Sequence, residues 1–270
     1  MFPVPRKKQR NLRVQYVSVL ALSAFVCTAI GESSSEADRI HTRIQSIPLG
    51  EITINVEISE HGSPGITFFN MHDNENTAVE ASKMVLAKNE GRFIQLLAQG
   101  NRLIEFPLKG RTYTFDPNRI FTPMGIEKTL KKYGAFSPEA QAEIATFASK
   151  LIDLVAPGSR IIIAVHNNTP GQYSINSYAS GGSDAKEAAD VYINHNQDPD
   201  DFYYVTEKSL FSAIKNGGHN VILQNEATVT DDGSLSVYCG RKGIRYVNVE
   251  TEHGHLDPQV KMLTFVLSVL

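Results

Sequence analysis

Residues 160–166, "RIIIAVH", are almost entirely apolar and end on a histidine. A strand with one wet face alternates apolar and polar side chains. An unbroken apolar run therefore reads as a strand buried on both faces, the situation inside an α/β sheet. "GITFFN" (65–70) and "NVILQN" (220–225) are of the same kind, and "IRYVNVE" (244–250) reads as the last strand. "EITINVEI" (51–58) alternates, and "RFIQLLAQ", "RLIEFPL" and "RTYTF" read as further strands parted by Gly100-Asn101 and Lys109-Gly110. "VYINH" and "FYYVT" are strand-like too, after the loop "GQYSINSYASGGSD".

Helical spacing falls between these strands. Ala78, Val79, Ala81, Met84 and Val85 predict a helix over 77–90, stopped by Gly91. Ser137-Pro138-Glu139 supplies a capping hydroxyl, a proline for the first turn and an acid near the positive end of the dipole, so a helix runs from there to about Val155. Helices are also expected over 207–215 and from Asp257-Pro258 to Leu270. No linker interrupts the alternation. One α/β domain with helices on both faces of a mixed sheet follows.

A hydrophobic content of 41%, a charged content of 20% and a net charge of −3 describe a folded chain with no electrostatic reason to bind nucleic acid or an anionic membrane. The N-terminus differs from the rest. Arg6, Lys7, Lys8, Arg10 and Arg13 precede an apolar stretch, "YVSVLALSAFVCTAIG". It is about 15 residues long, short of the roughly 20 that a spanning helix needs. Ala29 and Gly31 are small where a signal peptidase reads. Residues 1–31 are therefore expected to be a cleaved secretory signal and residues 32–270 the functional domain, in the periplasm or secreted. An uncleaved signal would be the chain's only tie to a membrane, and a lipid anchor through Cys27 is disfavoured by the bulk of Phe25 and Val26. Without Cys27 no internal disulfide is possible, and Cys239 in "SVYCGRK" reads as an ordinary strand thiol.

In sheets of this class, sites form beyond the carboxyl ends of strands. His72 and Glu75 follow "GITFFN", His166 ends its strand and Glu250 ends the last one. Two histidines and a carboxylate form a known catalytic zinc set, with a position left for water, and a second carboxylate near that water serves as a base. Each residue also has a plain reading. His-x-x-Glu is a common polar turn before a helix, and His61, His195, His219, His253 and His255 compete as ligands. Strand alternation puts Glu252 on the same face as Glu250, so it competes as base. In "TFDPNRIFT", Asn118-Arg119 sits in a turn, either as surface turn chemistry or as an amide and a guanidinium fork suited to a carboxylate.

The order "HDNE", "DPNR", "AVHNN", "VNVE" resembles the zinc metallocarboxypeptidases and their relatives, the succinylglutamate desuccinylases and aspartoacylases, from about residue 65 to the C-terminus. The resemblance implies a single domain with a mixed sheet of about eight strands between helices. It implies Zn2+ on His72, Glu75 and His166, a substrate carboxylate on Asn118 and Arg119, and Glu250 as the base. Its second active-site arginine would be Arg102 or Arg111, with Arg102 preferred. Asn74 stands where the peptidase branch has arginine, and the branch's mobile tyrosine has only Tyr203, Tyr204 and Tyr238 as rough counterparts. "HNNTPG" leans to the deacylases, whereas the short tail after Glu250 leans to the peptidases. The expected function is hydrolysis of an amide bond next to a free carboxylate, in a peptide or cell-wall peptide. The alternatives are deacylation of N-acyl amino acids and a non-catalytic binding protein of the same fold.

Overall fold

The structure is a computed structural model and describes Pro3 and residues 39–270. The expected signal segment, with Cys27, otherwise lies outside the described residues. In chain order the elements are β1 (His41–Leu49), β2 (Ile52–His61), β3 (Ile66–Asn70), α1 (Asn76–Leu86), β4 (Gly91–Leu97), β5 (Ile104–Leu108), β6 (Arg111–Phe115), α2 (Pro123–Lys132), α3 (Pro138–Val155), β7 (Ile161–Asn168), β8 (Ala188–Tyr192), β9 (Phe202–Val205), α4 (Lys208–Asn216), β10 (Val221–Gln224), α5 (Leu235–Lys242), β11 (Tyr246–Glu252) and α6 (Leu256–Ser268).

Nine strands form one mixed sheet in the order β1-β2-β4-β3-β7-β11-β9-β10-β8, and β5 and β6 pair as a separate hairpin. The centre is parallel: β3 pairs with β4 and β7, and β7 with β11. Alternation along these strands divides the core into two layers. Ile162, Ala164 and Tyr246 face a layer built with α2, α3 and α5. Ile161, Ile163, Val165, Val247 and Val249 face α1, α4 and α6. β7 is buried along its whole length, as its apolar run requires. The expected α/β sandwich is the fold, with one strand more than the approximate count the resemblance implied.

Three local differences have physical causes. α1 ends at Leu86 rather than at residue 90, because the chain leaves the helix through turns that donate to Lys83, Val85 and Leu86. α2 begins at Thr122-Pro123, where the threonine hydroxyl accepts from Gly125 N, a start signal present in the sequence but set in a weakly apolar stretch. Cys239 lies in helix α5 and not in a strand, and Gly243, at a φ of 65°, ends that helix in the left-handed region. The thiol is buried, and burial pushes it up to about 12, so it is an inert core group.

One backbone contact connects the fold to the turn carrying Asn118 and Arg119. Phe121 N donates to Gly233 O at 2.9 Å, and Gly125 lies flat against Gly233. A Cβ on Gly125 would stand 2.1 Å from Gly233 Cα and 2.8 Å from Arg119 O. Backbone cannot yield as a flexible side chain does, so Gly125→Ala is expected to cost roughly 1–3 kcal/mol through overpacking. Denaturant unfolding of the variant checks this; an unchanged midpoint would show that the contact is slack.

Candidate metal centre and substrate cleft

The parallel register places the candidate residues at one edge. Glu250 on β11 stands directly opposite His166 on β7. His72 and Glu75 follow the end of the neighbouring strand β3. All four are buried, with relative exposures of 1% for His72, 3% for Glu75, 4% for His166 and 7% for Glu250.

Glu75 occupies the N-cap position of α1, but its side chain makes no capping bond. Asn167 from β7 does that work, its Oδ1 accepting from Ala78 N at 2.8 Å. The amide of Asn167 donates to Thr251 and to Gln259, and Gln259 donates in turn to His166 O. This bracket ties the ends of β7 and β11 to α1 and α6, and it frees the Glu75 carboxylate for other use.

That carboxylate turns to the imidazoles. Glu75 Oε1 lies 2.9 Å from His72 Nδ1, Oε2 lies 2.9 Å from His166 Nδ1, and the two nitrogens are 3.2 Å apart. His72 Nε2 is 2.8 Å from Asp116 Oδ1, so the imidazole N–H belongs on Nε2, as the hydrogen-bond partner dictates. Nδ1 of His72 then carries a lone pair aimed at another electron-rich atom. A cation satisfies these donors together: a proton on His72 or a metal ion among all three. Burial alone would lower the His72 pKa, but Glu75 and Asp116 outweigh it and raise it above its ordinary value. Burial would likewise raise Glu75, yet His72 and His166 hold it well below the usual carboxylate range. His166 is lowered, chiefly by burial.

The donor set fits zinc. Bonds of about 2.0–2.1 Å at tetrahedral angles separate ligand atoms by about 3.3 Å, close to the spacings present. A carboxylate on the far nitrogen of a ligating histidine is also the arrangement that fixes its orientation. Asp116 supplies it, and its Oδ1 also accepts from Asn118 N at 2.9 Å, capping the 3-10 turn Pro117–Arg119. In the sequence this aspartate reads only as turn chemistry. Its local signal is its place two residues before Asn118, and its role comes from the contact with His72, which is distant in the chain.

A cleft of about 650 Å³ adjoins the three donors. Arg102, Asn118, Arg119 and Glu250 share its wall with the loop after β7. Of the two competing arginines, Arg102 lies here, with Nη1 at 2.6 Å from Glu75 Oε1, whereas Arg111 is exposed and lies over the Tyr113 ring. Arg119 donates through Nη1 to Asn118 O at 2.6 Å, and its Nε lies 3.3 Å from Asp232 Oδ2. Burial opposes its charge, but Asp232 and Asp116 hold it, so its pKa is raised. Asn118 Oδ1 accepts from Leu235 N, which fixes the amide on the cleft wall.

Glu250 Oε2 is buried without a hydrogen-bond partner. Burial, with the charge of Glu75 added, pushes its carboxyl well above the ordinary range. Glu252 shares its face but lies two residues further along, about 6–7 Å on. There it meets Asp201, which accepts from its backbone N–H, and His255, whose Nε2 is 3.8 Å from its Oε2. It is not part of the cleft wall. Of the competing histidines, only His253 reaches the cleft; His61 bonds to the carbonyls of Leu86 and Asn89, and His219 packs on Phe265. Asn74 stands on the cleft wall as well.

None of the three tyrosines weighed from sequence enters this cleft. Tyr203 donates to Met262 O within the far core layer, and Tyr238 packs on Phe121. Tyr204 lines a second cavity of about 500 Å³ that continues the first beyond Asn118, Arg119, Asn248 and Tyr173. Tyr173, on a loop read without a role, lines both cavities and is hydrogen-bonded to Tyr178 at 2.5 Å.

No protein-family model matches the chain, and a search of curated proteins gives no match. Among solved structures, similarity extends to an aspartoacylase family protein from Mesorhizobium loti, at 15% identity and a TM-score of 0.47, covering 88% of this chain and 69% of that one. A succinylglutamate desuccinylase/aspartoacylase from Rhodobacter sphaeroides gives 14%, 0.45, 87% and 67% in the same order. The murein-tripeptide amidase of Escherichia coli O157 gives 10%, 0.44, 87% and 95%. The desuccinylase/aspartoacylase structures carry the names of one group that the motif order resembles. At such identities and scores nothing about this chain's chemistry follows from them.

The donor geometry makes a direct prediction. His72→Ala, Glu75→Ala and His166→Ala should each lose bound zinc, because three protein ligands are the minimum for this arrangement. Asp116→Asn should retain zinc but bind it about 10- to 100-fold more weakly. Metal stoichiometry and competition titration against a chelator measure both. Full zinc in His72→Ala would reduce the His72-x-x-Glu75 motif to a helix turn.

Proposed function

We propose that this chain is a zinc-dependent hydrolase of amide bonds adjacent to a free carboxylate, acting on peptides, and that residues 1–31 export it. One observation carries the reading: a three-donor metal set, a carboxylate with a free oxygen and a guanidinium–amide pair all line one cleft. Zinc on His72, Glu75 and His166 supplies Lewis acidity toward a carbonyl and a water, and a positive charge beside Glu250. Arg119 and Asn118 bind the substrate carboxylate and so set the neighbouring amide in the cleft. Glu250 takes the proton of the attacking water and returns it to the departing nitrogen. Arg102 uses N–H groups beyond the one spent on Glu75 to hold a substrate oxygen.

An exported destination favours peptides, cell-wall peptides among them, over acyl amino acids. In the "HNNTPG" stretch that leans to the deacylase alternative, Asn167 bonds to Ala78, Thr251 and Gln259, while Asn168 donates to Asp200 O and keeps an unpartnered Oδ1 on the cleft wall.

Three measurements test the reading. Glu250→Gln should keep its zinc and fold but lose at least about a hundredfold in turnover, while Glu252→Gln should lose far less. A dead Glu252→Gln would reassign the base. Arg119→Lys keeps charge but loses the fork, and should cost roughly 2 to 4 kcal/mol in kcat/KM for substrates with a free carboxylate and much less for their amides. Equal losses on both would make Arg119 structural. N-terminal sequencing of the exported protein should begin near Glu32; a mature cytosolic chain that retains Met1 would remove the export argument.

A further inference from the structure

The second cavity bears on which substrates the cleft accepts, an inference that rests on the carboxylate clamp proposed above. Asn118 and Arg119 face both cavities. A residue whose carboxylate is held at that junction, and whose amide lies toward the metal donors, has its side chain left to place. The remaining space is the second cavity. Its walls therefore choose the residue.

Those walls are acceptor-rich. They carry the carboxylates of Asp184, Glu187 and Asp232 against the charges of Lys186 and the shared Arg119. Asp232 is 3.3 Å from Arg119, and Lys186 Nζ is 3.8 Å from Glu187. Asp184 accepts from Ser183 Oγ and pairs with no cation among the described residues. Once a substrate carboxylate also draws on Arg119, this end of the cleft holds two negative charges in excess. Asn248 Oδ1, buried and without a hydrogen-bond partner, is a further acceptor on the same wall. Aliphatic lining is confined to Val229 and Val237.

An apolar side chain entering here would pack on the rings of Tyr173, Tyr178, Tyr204 and Tyr246 but strip water from the carboxylates, whereas a cation is favoured by rings and carboxylates alike. An acidic one would add like charge. A long stem ending in a cation meets both demands, and a cavity of about 500 Å³ has room for it. We infer that the second cavity selects substrates whose carboxylate-bearing residue has a basic side chain, with Asp184 as its charge partner.

Calorimetric titration of the zinc-loaded protein with Nα-acetyl-lysine, Nα-acetyl-norleucine and Nα-acetyl-glutamate tests this without requiring turnover. Norleucine is lysine without the ammonium group. The lysine derivative should bind about tenfold more tightly than the norleucine derivative, the scale of one partly buried ion pair, with the glutamate derivative weakest. Asp184→Lys should reverse the order of lysine and glutamate. Equal binding of the lysine and norleucine derivatives, or no binding of any of the three, overturns the inference. Hydrolysis of peptides ending in lysine or leucine separates this claim from the one beneath it. Selective lysine binding without cleavage of any peptide refutes the hydrolase and keeps the pocket. Equal cleavage of both peptides keeps the hydrolase and refutes the pocket.

Discussion

Because β3, β7 and β11 run parallel and stop at one edge of the sheet, residues almost 180 positions apart share a space a few ångströms across. His166 and Glu250 are register partners, and the chain leaving β3 brings His72 and Glu75 beside them. A slip of one residue between β7 and β11 would turn Glu250 into the opposite core layer, among the side chains of Val247 and Val249. The apolar residues that bury both faces of the sheet thus also align the polar ones at its end.

Burying so many charged and titratable groups is costly unless each finds a partner. Here the partners are shared. Asp116 orients His72 and caps the turn that presents Asn118 and Arg119, so the candidate metal donors and the Asn118–Arg119 pair are positioned by one side chain. Asn167 and Gln259 tie the strand ends to α1 and α6. Along the cleft His166 Nε2, Asn168 Oδ1, Asn248 Oδ1 and Glu250 Oε2 are buried without a hydrogen-bond partner, and Glu250 is the carboxylate among them. Perturbed, unpaired groups gathered beside a cleft mark it as a place where a reactant binds.

Much of this was legible along the chain. The all-apolar strand, the Ser137-Pro138 helix start and the placement of His166 and Glu250 near the carboxyl ends of their strands, each two residues before the end, are local signals, and local periodicity survives in sequence. Other features were not. Nothing near Asp116 or Tyr173 distinguishes them from ordinary turn and loop residues, since their roles come from partners 44 residues away or across a cavity. Glu252 and Glu250 were equivalent by alternation, and only the position of the loop around Asp201 separates them.

The sequence by itself determined the class of fold, through the burial demanded by its apolar strands, and the identity of the metal-donor candidates, through their place at strand ends. The tertiary structure alone decided which arginine lines the cleft, which glutamate has a free oxygen within it, and that Asn167 rather than Glu75 caps α1. It also joined a second, acidic cavity to the first. The reason is physical. Periodicity records which face of an element is buried, but a hydrogen bond or a shared cavity depends on distances between elements, and those are set only when the layers pack.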